Sequence, residues 1–436
     1  MKSKKVLALI LAFALACSAL VGCANKTQSN NGDTTSSKTS DTNTSDTTAS
    51  DAGQTVNICL WNNLPDDESL NMFKQAEKAT GIKVNATVIP DTDYSSKLNQ
   101  MVSTGDSSID IYIVWENDIG NFAKANGIIS LDDYLKGSSI NTGDFIDAVA
   151  KLSSGLGATY GLPWCAATEV LYYNKDMFDA AGITYPTNDW SYADYKAAAE
   201  KLTQKAADGS TDVYGCSLPN TQTWWAGIGG AGDQVYDPSN GQMVIGGGAV
   251  SFITDCADMV SKGIMPEPSS DTTDFFAAGK AAMSWQGSWM IGSYKDTLSF
   301  KWDIATIPTN SLKYNTLHTG FYTINAKSKN QDAAFKVIEF LMGEQGQTTN
   351  SKASGNPSAI KTIAAEGAWK VESATTITNW DAITDSLEAG VFGYTCLPSG
   401  VTNNAVSEFN AALLGQKTPQ EAVDAASQYA KETIGY

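Results

Sequence analysis

Tryptophans with amide or carboxylate side chains close by recur along the sequence. The groups are Trp61 with Asn62, Trp115 with Glu116 and Asp118, Asn220 with Trp224 and Trp225, and Gln286 with Trp285 and Trp289. An aromatic ring offers an apolar face to the C–H face of a hydroxylated ring such as a sugar, whose hydroxyls need hydrogen-bonding partners once buried. The pattern predicts a pocket for a neutral, hydroxyl-rich ligand. Packing of the same tryptophans in a hydrophobic core is the alternative that the sequence leaves open.

The charged residues limit the class of ligand. The chain has 47 acidic and 29 basic residues, for a formal net charge of −18, and every basic residue is lysine. Bidentate recognition of phosphate or carboxylate usually employs the planar arginine side chain, and nucleic-acid binding requires a basic surface. We therefore expect no nucleic-acid partner. The ligand should be neutral or cationic, so a peptide, a polyamine or a metal ion is an alternative to a sugar.

Few residues are suited to catalysis or to cofactor binding. His318 is the single histidine, so the sequence excludes a multi-histidine metal site, and we expect an ordinary surface or hydrogen-bonded side chain in a loop. The five cysteines of the folded part are scattered and predict no disulfide framework. Residues 227–232 match G-x-G-x-x-G, but no strand precedes them, which favours a mobile turn over a dinucleotide site. We expect neither a cofactor nor a resident metal.

Two alternating apolar stretches and one continuous apolar run predict the strands that position these residues. Strands are expected at TVNICLW, IKVNATVIP and IDIYIVW, with a helix over residues 66–81 between the first two. Strand and helix in alternation indicate an α/β lobe with a mainly parallel sheet. Trp61 and Trp115 stand at the ends of two of these strands, where ligands bind in parallel sheets.

The second half of the chain continues in the same style. Strands are predicted at TEVLYYN, KWDIATIP and GFYTINA. Helices are predicted from Ser191 to Gly209, over NQDAAFKVIEFLMG with apolar residues at helical spacing, and from the Thr418 capping box to the C-terminus.

The N-terminus predicts export and a lipid anchor. Three lysines among the first five residues precede an apolar run at 6–15, which is too short to span a bilayer. The sequence LVGC ending at Cys23 resembles a bacterial lipobox, so 1–22 is predicted to be a signal peptide and Cys23 the lipidated residue. The polar stretch within 23–53 is predicted to be a disordered tether. An ordinary signal peptide cleaved near Ala24 is the alternative.

Three longer stretches carry motifs of a known kind. The first contains YGLP, YNKD and AGI within residues 160–183, the second is FFAAGKAAMSWQGSW at 275–289, and the third is GFYTINAKSKNQDAAFKVIEFL at 320–341. Together they resemble the extracellular solute-binding proteins of bacterial ABC importers, in the carbohydrate-binding group that includes maltose-binding protein. The resemblance extends from the first strand to the last helix.

This resemblance implies an α/β fold of the periplasmic-binding-protein type. Two lobes would be joined by three crossing segments, with the ligand in the cleft between them. The first lobe would comprise residues 54–166 and 312–350, and the second would comprise residues 167–308 and 351–436.

The resemblance also assigns roles to residues of the cleft. It implies a stacking platform at Trp289, a hydroxyl acceptor at Glu169, a cleft lining at Gly320 and Phe321, a first-lobe contribution from Trp115 and Asp118, and a C-terminal aromatic ring at Tyr394. Some relatives place the cleft carboxylate two residues farther from the YNK motif, and many use arginine in the cleft, which this chain lacks.

The predicted function is that of a membrane-anchored binding subunit. It would capture a sugar or short oligosaccharide by lobe closure and deliver it to the permease subunits of an ABC transporter, as a monomer on the extracellular face of the cell membrane. No enzymatic activity is expected. A surface glycosidase is the competing hypothesis, because Glu116, Asp118 and Glu169 could supply the two carboxylates that such chemistry requires.

Overall fold

The computed structural model describes residues 53–62, 65–154, 156–237, 239–270, 273–370 and 376–436. The strands are β1 Thr55–Leu60, β2 Lys83–Val88, β3 Ile111–Trp115, β4 Leu162–Pro163, β5 Ala167–Asn174, β6 Gln204–Lys205, β7 Thr211–Val213, β8 Val235–Asp237, β9 Gln242–Val244, β10 Met283–Gly287, β11 Trp302–Ala305, β12 Asn315–His318, β13 Gly320–Ile324 and β14 Gly390–Val391.

Helices occupy much of the remaining chain. In order they are α1 Met72–Thr80, α2 Asp91–Thr104, α3 Ile119–Lys124, α4 Asp132–Leu135, α5 Asp147–Ser154, α6 Lys175–Ala181, α7 Tyr192–Leu202, α8 Thr221–Gly230, α9 Gly247–Ser261, α10 Met290–Thr297, α11 Gln331–Met342, α12 Glu344–Ser354, α13 Lys361–Glu366, α14 Asp381–Glu388, α15 Ser399–Leu413 and α16 Pro419–Ile434. Short 3₁₀ helices lie at Thr142–Asp144 and Tyr394–Cys396.

The first sheet has the strand order β2-β1-β3-β13-β4. The three strands predicted from the N-terminal part of the chain are confirmed, and β1 runs parallel to both β2 and β3. In β1, Val56, Ile58 and Leu60 lie on one face and Cys59 on the other, and both faces are covered by hydrophobic side chains. This two-sided burial accounts for the continuous apolar run of β3.

The helix predicted over residues 66–81 is shorter than expected. α1 begins at Met72, because the Asn71 side chain accepts the hydrogen bond of the Lys74 amide and caps the helix there. Its end at Gly81 is as predicted, with φ at +72°, a conformation that costs glycine little.

The second sheet is built around β5. Strands β10, β11 and β12 all pair with β5 in antiparallel orientation, and β14 continues the sheet beyond β12. Alternate residues of β5 belong to two separate hydrophobic clusters, with Leu171 and Tyr173 in one and Val170 and Tyr172 in the other. Both sheets therefore present covered faces, and their strand ends are the places left for a site.

Two predictions for the middle of the chain are wrong. The helix capped by Ser191 ends at Leu202 and does not extend to Gly209. Strands β6 and β7, which lie on either side of Gly209, form a small antiparallel hairpin there instead. The glycine-rich stretch is not a mobile turn, since it completes the buried helix α8. Its glycines permit close packing: a Cβ at Gly227 would lie 2.1 Å from Cζ of Phe252.

Three segments carry the described chain between the two sheets. Residues 164–166 connect β4 to β5, and Thr319 connects β12 to β13. Beyond α12, the chain leads to α14, which packs on β5. The first two segments contact each other, since the Thr319 hydroxyl donates to the Cys165 carbonyl at 2.7 Å. By strand pairing, β12 belongs with the second sheet, so the chain rejoins the first sheet only after Thr319.

The predicted signal peptide, the predicted lipidation site at Cys23 and all but the last residue of the predicted tether lie outside the described residues. Within the described part of the chain, none of the helices combines the length and apolar character needed to cross a bilayer. The five cysteines of the folded part are free thiols, and all but Cys396 are buried.

Candidate ligand-binding site

A cluster of aromatic rings lies at the carboxyl ends of β1 and β3. The ring centroids of Trp61 and Trp115 are 4.1 Å apart, and those of Trp61 and Trp164 are 5.1 Å apart. All three tryptophans are partly exposed, whereas Tyr94 beneath them is fully buried. The structure therefore brings together the two tryptophans predicted here and adds Trp164, which the sequence analysis did not single out.

Carboxylates continue directly from this aromatic cluster. Glu116 and Asp118 follow β3 and are 8 % and 7 % exposed. Burial raises the pKa of Asp118 above its usual range, and the neighbouring Glu116 charge raises it further, while a hydrogen bond from Ser95 opposes the shift. The two carboxylates are thus drawn out of bulk solvent at the edge of the first sheet.

His318 joins Glu116 to the second sheet. Its Nδ1 lies 3.0 Å from Oε1 of Glu116, and its Nε2 lies 2.6 Å from Oε1 of Glu169. The second oxygen of Glu116 accepts the amide of Thr319 at 3.3 Å, and that of Glu169 accepts the hydroxyl of Thr316. His318 is hydrogen-bonded, as expected, but it ends strand β12 instead of lying in an ordinary loop.

The two carboxylates control the protonation of this histidine. Burial by itself lowers the pKa of His318, but the charge of Glu169 and the hydrogen bonds to both glutamates outweigh it and raise the pKa from 6.5 to about 10. An imidazolium with both nitrogens donating is therefore the form present at neutral pH.

Aromatic rings of the second half of the chain surround His318. Its ring centroid lies 5.3 Å from that of Trp289, in an edge-to-face arrangement, and 5.8 Å from that of Tyr394. Trp225 stacks on Tyr394, with ring centroids 5.5 Å apart, and is fully buried. Trp289 is partly exposed, so it is the ring of this group with a face available for a ligand.

Several residues predicted to bind the ligand lie in hydrophobic clusters. Trp224 and Trp225 are 0 % exposed, Trp285 is 7 % exposed, and all three pack in the cluster on one face of the second sheet. Phe321 is also fully buried, in the cluster under the first sheet. The structure thus favours packing in a hydrophobic core over ligand binding for these four side chains. Direct contact between them and a ligand stays a prediction.

The polar residues predicted for the site are placed differently from one another. Asn62 is exposed at the end of β1. The Asn220 side chain caps α8 through its oxygen and donates to Gln286 at 2.8 Å, so its oxygen and one of its two N–H groups are already used within the protein. Gly320 pairs with Trp115 across the first sheet and keeps the backbone close to that ring. Glu169 is fully buried, and both of its oxygens are engaged by His318 and Thr316.

A cleft of about 1070 Å³ opens beside Glu116. Glu116 and Asn117 line it from the loop after β3, and Tyr236, Phe392 and Cys396 line it from elements associated with the second sheet. Its wall is mixed in character, with apolar, amide and charged side chains. Such a wall suits a polar organic ligand, although Trp61, Trp115, Trp164 and Trp289 are not among the residues that line this cleft.

Sequence reasoning missed the residues that only pairing brings to the site. Trp164 follows the two-residue strand β4, so the rule that located Trp61 and Trp115 applies to it as well. His318 carried no local signal, because its partners lie 202 and 149 residues away along the chain. Among the described residues, no group of three or more His, Cys, Asp or Glu side chains is arranged to hold a metal ion.

The fold and the site define a class. Two β-sheets, each with parallel and antiparallel strand pairs, are joined by three crossing segments. Partly exposed tryptophans and the neighbouring carboxylates lie close to the place where those segments meet. This is the construction of a two-domain binding protein of the periplasmic type.

The chain belongs to the bacterial extracellular solute-binding protein family, whose pattern matches residues 71–379. Among its relatives, the arabinooligosaccharide-binding protein of Bacillus subtilis is 24 % identical over 418 residues, covering 87 % of this chain and 93 % of that protein. The galactooligosaccharide-binding protein of the same organism is 26 % identical over 298 residues, covering 63 % of this chain and 66 % of that protein.

Solved structures show the same architecture. The ABC substrate-binding protein from Listeria monocytogenes in complex with cycloalternan is 23 % identical, with a TM-score of 0.77, over 88 % of this chain and 99 % of that one. This likeness concerns the fold, and it confirms the predicted α/β architecture of the periplasmic-binding-protein type.

Proposed function

We propose that this chain is the substrate-binding subunit of an ABC importer and that it captures a neutral sugar or short oligosaccharide. The observation that carries the proposal is that partly exposed tryptophans adjoin the pair formed by Glu116 and His318. Trp115 immediately precedes Glu116, and the ring of Trp289 lies 5.3 Å from that of His318. Partly exposed rings of Trp61, Trp115 and Trp289 provide stacking surfaces, and the Glu116 carboxylate provides a hydrogen-bond acceptor on the cleft.

The relatives support a sugar as the ligand class. Those reported above bind arabino- and galacto-oligosaccharides, as their names state, and the structural neighbour holds cycloalternan. The absence of arginine from the sequence points the same way, because a phosphorylated or carboxylated ligand would usually be held by its planar side chain. A peptide, a polyamine or a metal ion as cargo is the outcome against which the sugar must be tested.

Capture would proceed by closure of the two lobes on the ligand. In the proposal the first lobe holds residues 54–166 and, because β12 pairs with the second sheet, 320–350, and the second holds 167–318 and 351–436. Closure is favoured only to the extent that the ligand contacts both lobes better in the closed state. Stacking on Trp61 and Trp115 from one side and on Trp289 from the other would supply such differential contacts.

Delivery to a permease would take place on the outer face of the membrane. In the proposal, lipidation of Cys23 anchors a monomeric chain, and residues 24–53 act as a tether that raises its effective concentration near the transporter. The family description supports an extracellular location.

A thermal-unfolding screen of the purified chain tests the ligand class. Galactobiose, arabinotriose, maltotriose and cycloalternan would be compared with a dipeptide, spermidine and Mg²⁺. Because only the folded protein binds, a sugar present at 100 times its Kd raises stability by about 2.7 kcal/mol, which is a readily measured shift in Tm. A shift with spermidine or the dipeptide and with none of the sugars would contradict the proposal.

The same samples test the absence of catalysis. In the proposal the bound sugar is released unaltered, because Glu169 is enclosed and both Glu116 and Glu169 are bonded to His318. Chromatography of the ligand after prolonged incubation should return it intact. Recovery of shorter fragments would favour the glycosidase hypothesis instead.

A further inference from the structure

The contacts of His318 require a charged ring. Glu116 and Glu169 present carboxylate oxygens to opposite nitrogens of the imidazole, at 3.0 and 2.6 Å. An ionised carboxylate only accepts hydrogen bonds, and a neutral imidazole has a single N–H, so both contacts are hydrogen bonds only when the ring carries two protons. The raised pKa of His318 agrees with this geometry.

The other neighbours of the ring leave this assignment unchanged. Trp289 and Tyr394 contact it from the residues after β10 and β14, and burial holds the pKa of Tyr394 well above its usual range, so neither carries charge at neutral pH. Thr316 supplies a hydroxyl from the ring's own strand at 3.3 Å. The acidic groups facing His318 are therefore the two glutamates.

Glu169, His318 and Glu116 differ in whether they can contact a ligand in the cleft. Glu169 is fully buried, and its oxygens are occupied by His318 and Thr316. Glu116 lies on the cleft, and each of its oxygens accepts one hydrogen bond from the protein. A carboxylate oxygen can accept two, so Glu116 retains capacity toward the cleft, whereas Glu169 is directed toward His318 alone.

We propose that Glu169, His318 and Glu116 form an ionic bridge across the central crossing, in which His318 and Glu169 are positioning residues for the Glu116 carboxylate. The bridge spans both sheets, because Glu169 lies in β5, His318 ends β12, and Glu116 follows β3. It revises the role that the sequence assigned to Glu169, from direct acceptor of ligand hydroxyls to support for the acceptor. The role in the cleft rests on the proposed binding function, whereas the bridge itself does not.

Because the chain has a single histidine, its ring can be observed without overlap. Nitrogen-15 NMR of histidine-labelled, ligand-free protein should show both ring nitrogens protonated from pH 6 to pH 8. A ring that loses a proton near pH 6.5, as in an unfolded chain, would overturn the bridge.

Two variants then separate positioning from general stability. In Glu169→Gln the ring keeps one carboxylate partner and loses the other, so the pH at which His318 titrates should fall by more than about one unit. The matched control is Asp303→Asn, because Asp303 is also a buried carboxylate next to β5 but bonds to Thr378 and Asn379 instead. This control should leave the titration of His318 unchanged, and an equal shift in both variants would overturn the assignment.

The effect on the cleft is measured with whichever sugar of the screen binds. Glu169→Gln should weaken that sugar by about tenfold, although Glu169 cannot touch it, and Asp303→Asn should change the affinity by less than about twofold. Equal affinities in the wild type and Glu169→Gln would overturn the positioning role. If no sugar binds the wild type, the proposed function fails, while the NMR titration in ligand-free protein still decides the bridge.

Discussion

Replacing His318 with glutamine should change how the free energy of unfolding depends on pH. In the native protein the pKa of His318 is about 10, against 6.5 in an unfolded chain. Between these two pH values the native state binds one proton that the unfolded state has lost. The stabilising contribution of His318 is therefore complete below about pH 6.5 and is lost as the pH rises toward 10.

The magnitude follows from this proton difference. One proton bound only by the native state lowers stability by about 1.4 kcal/mol per pH unit, so the wild type should lose about 3 kcal/mol through His318 between pH 7.5 and pH 9.5. Buried thiols such as Cys59 and Cys165 have raised pKa values and act in the same direction. They are present in both proteins, so their effect cancels when the wild type is compared with His318→Gln.

Urea unfolding followed by tryptophan fluorescence measures this difference. The free energy of unfolding would be determined for both proteins at half-unit steps over that pH range. The advantage of the wild type over His318→Gln should shrink steadily as the pH rises. An advantage that stays constant across the range would refute the reasoning, because it would mean that His318 does not carry the additional proton.

Three further predictions concern the cleft, the packing and the anchor. Trp289→Ala should weaken the bound sugar by about tenfold in calorimetric titration, with Tm near that of the wild type, because this ring is partly exposed; loss of folding instead would assign it to the core. Gly215→Ala should destabilise the protein by about 3 kcal/mol in urea, since its Cβ would lie 1.9 Å from the Ala199 carbonyl oxygen, whereas Gly400→Ala, which meets nothing within 4 Å in a helix, should be neutral or slightly stabilising. Cys23→Ser should abolish labelling by radioactive palmitate and release the chain into the medium; continued labelling would contradict lipidation at that residue.

Much of the fold could be predicted because each strand or helix has a signal within its own few residues. Alternation of apolar residues located β1 and β2, a continuous apolar run located β3, and the capping box at Thr418 located the start of α16. The errors occurred where local signals compete. Acidic residues before α1 resembled a first helical turn, but the Asn71 cap set the start further along. A glycine-rich stretch that resembled a turn became part of α8, because neighbouring rings fill the space beside its glycines.

The candidate site was predictable to a smaller extent. Trp61 and Trp115 were located because strand ends in parallel sheets are where ligands bind, and the structure places their rings together. The pairing of tryptophan with nearby amide or carboxylate residues also selected Trp224, Trp225 and Trp285 as ligand-binding residues, and the structure buries all three. A tryptophan beside amide residues has the same local sequence in both situations, so only its surroundings distinguish a stacking surface from a core side chain.

The sequence by itself determined the periodicities of the strands and helices, the family motifs, and a composition with one histidine and no arginine. The tertiary structure decided which aromatic rings stay partly exposed and which carboxylates His318 meets. The physical reason is that periodicity and capping act within a few residues, whereas burial and ion pairing depend on segments that fold together from distant parts of the chain. Glu116 and His318 are 202 residues apart in the sequence, and only the crossing between β12 and β13 brings them within hydrogen-bonding distance.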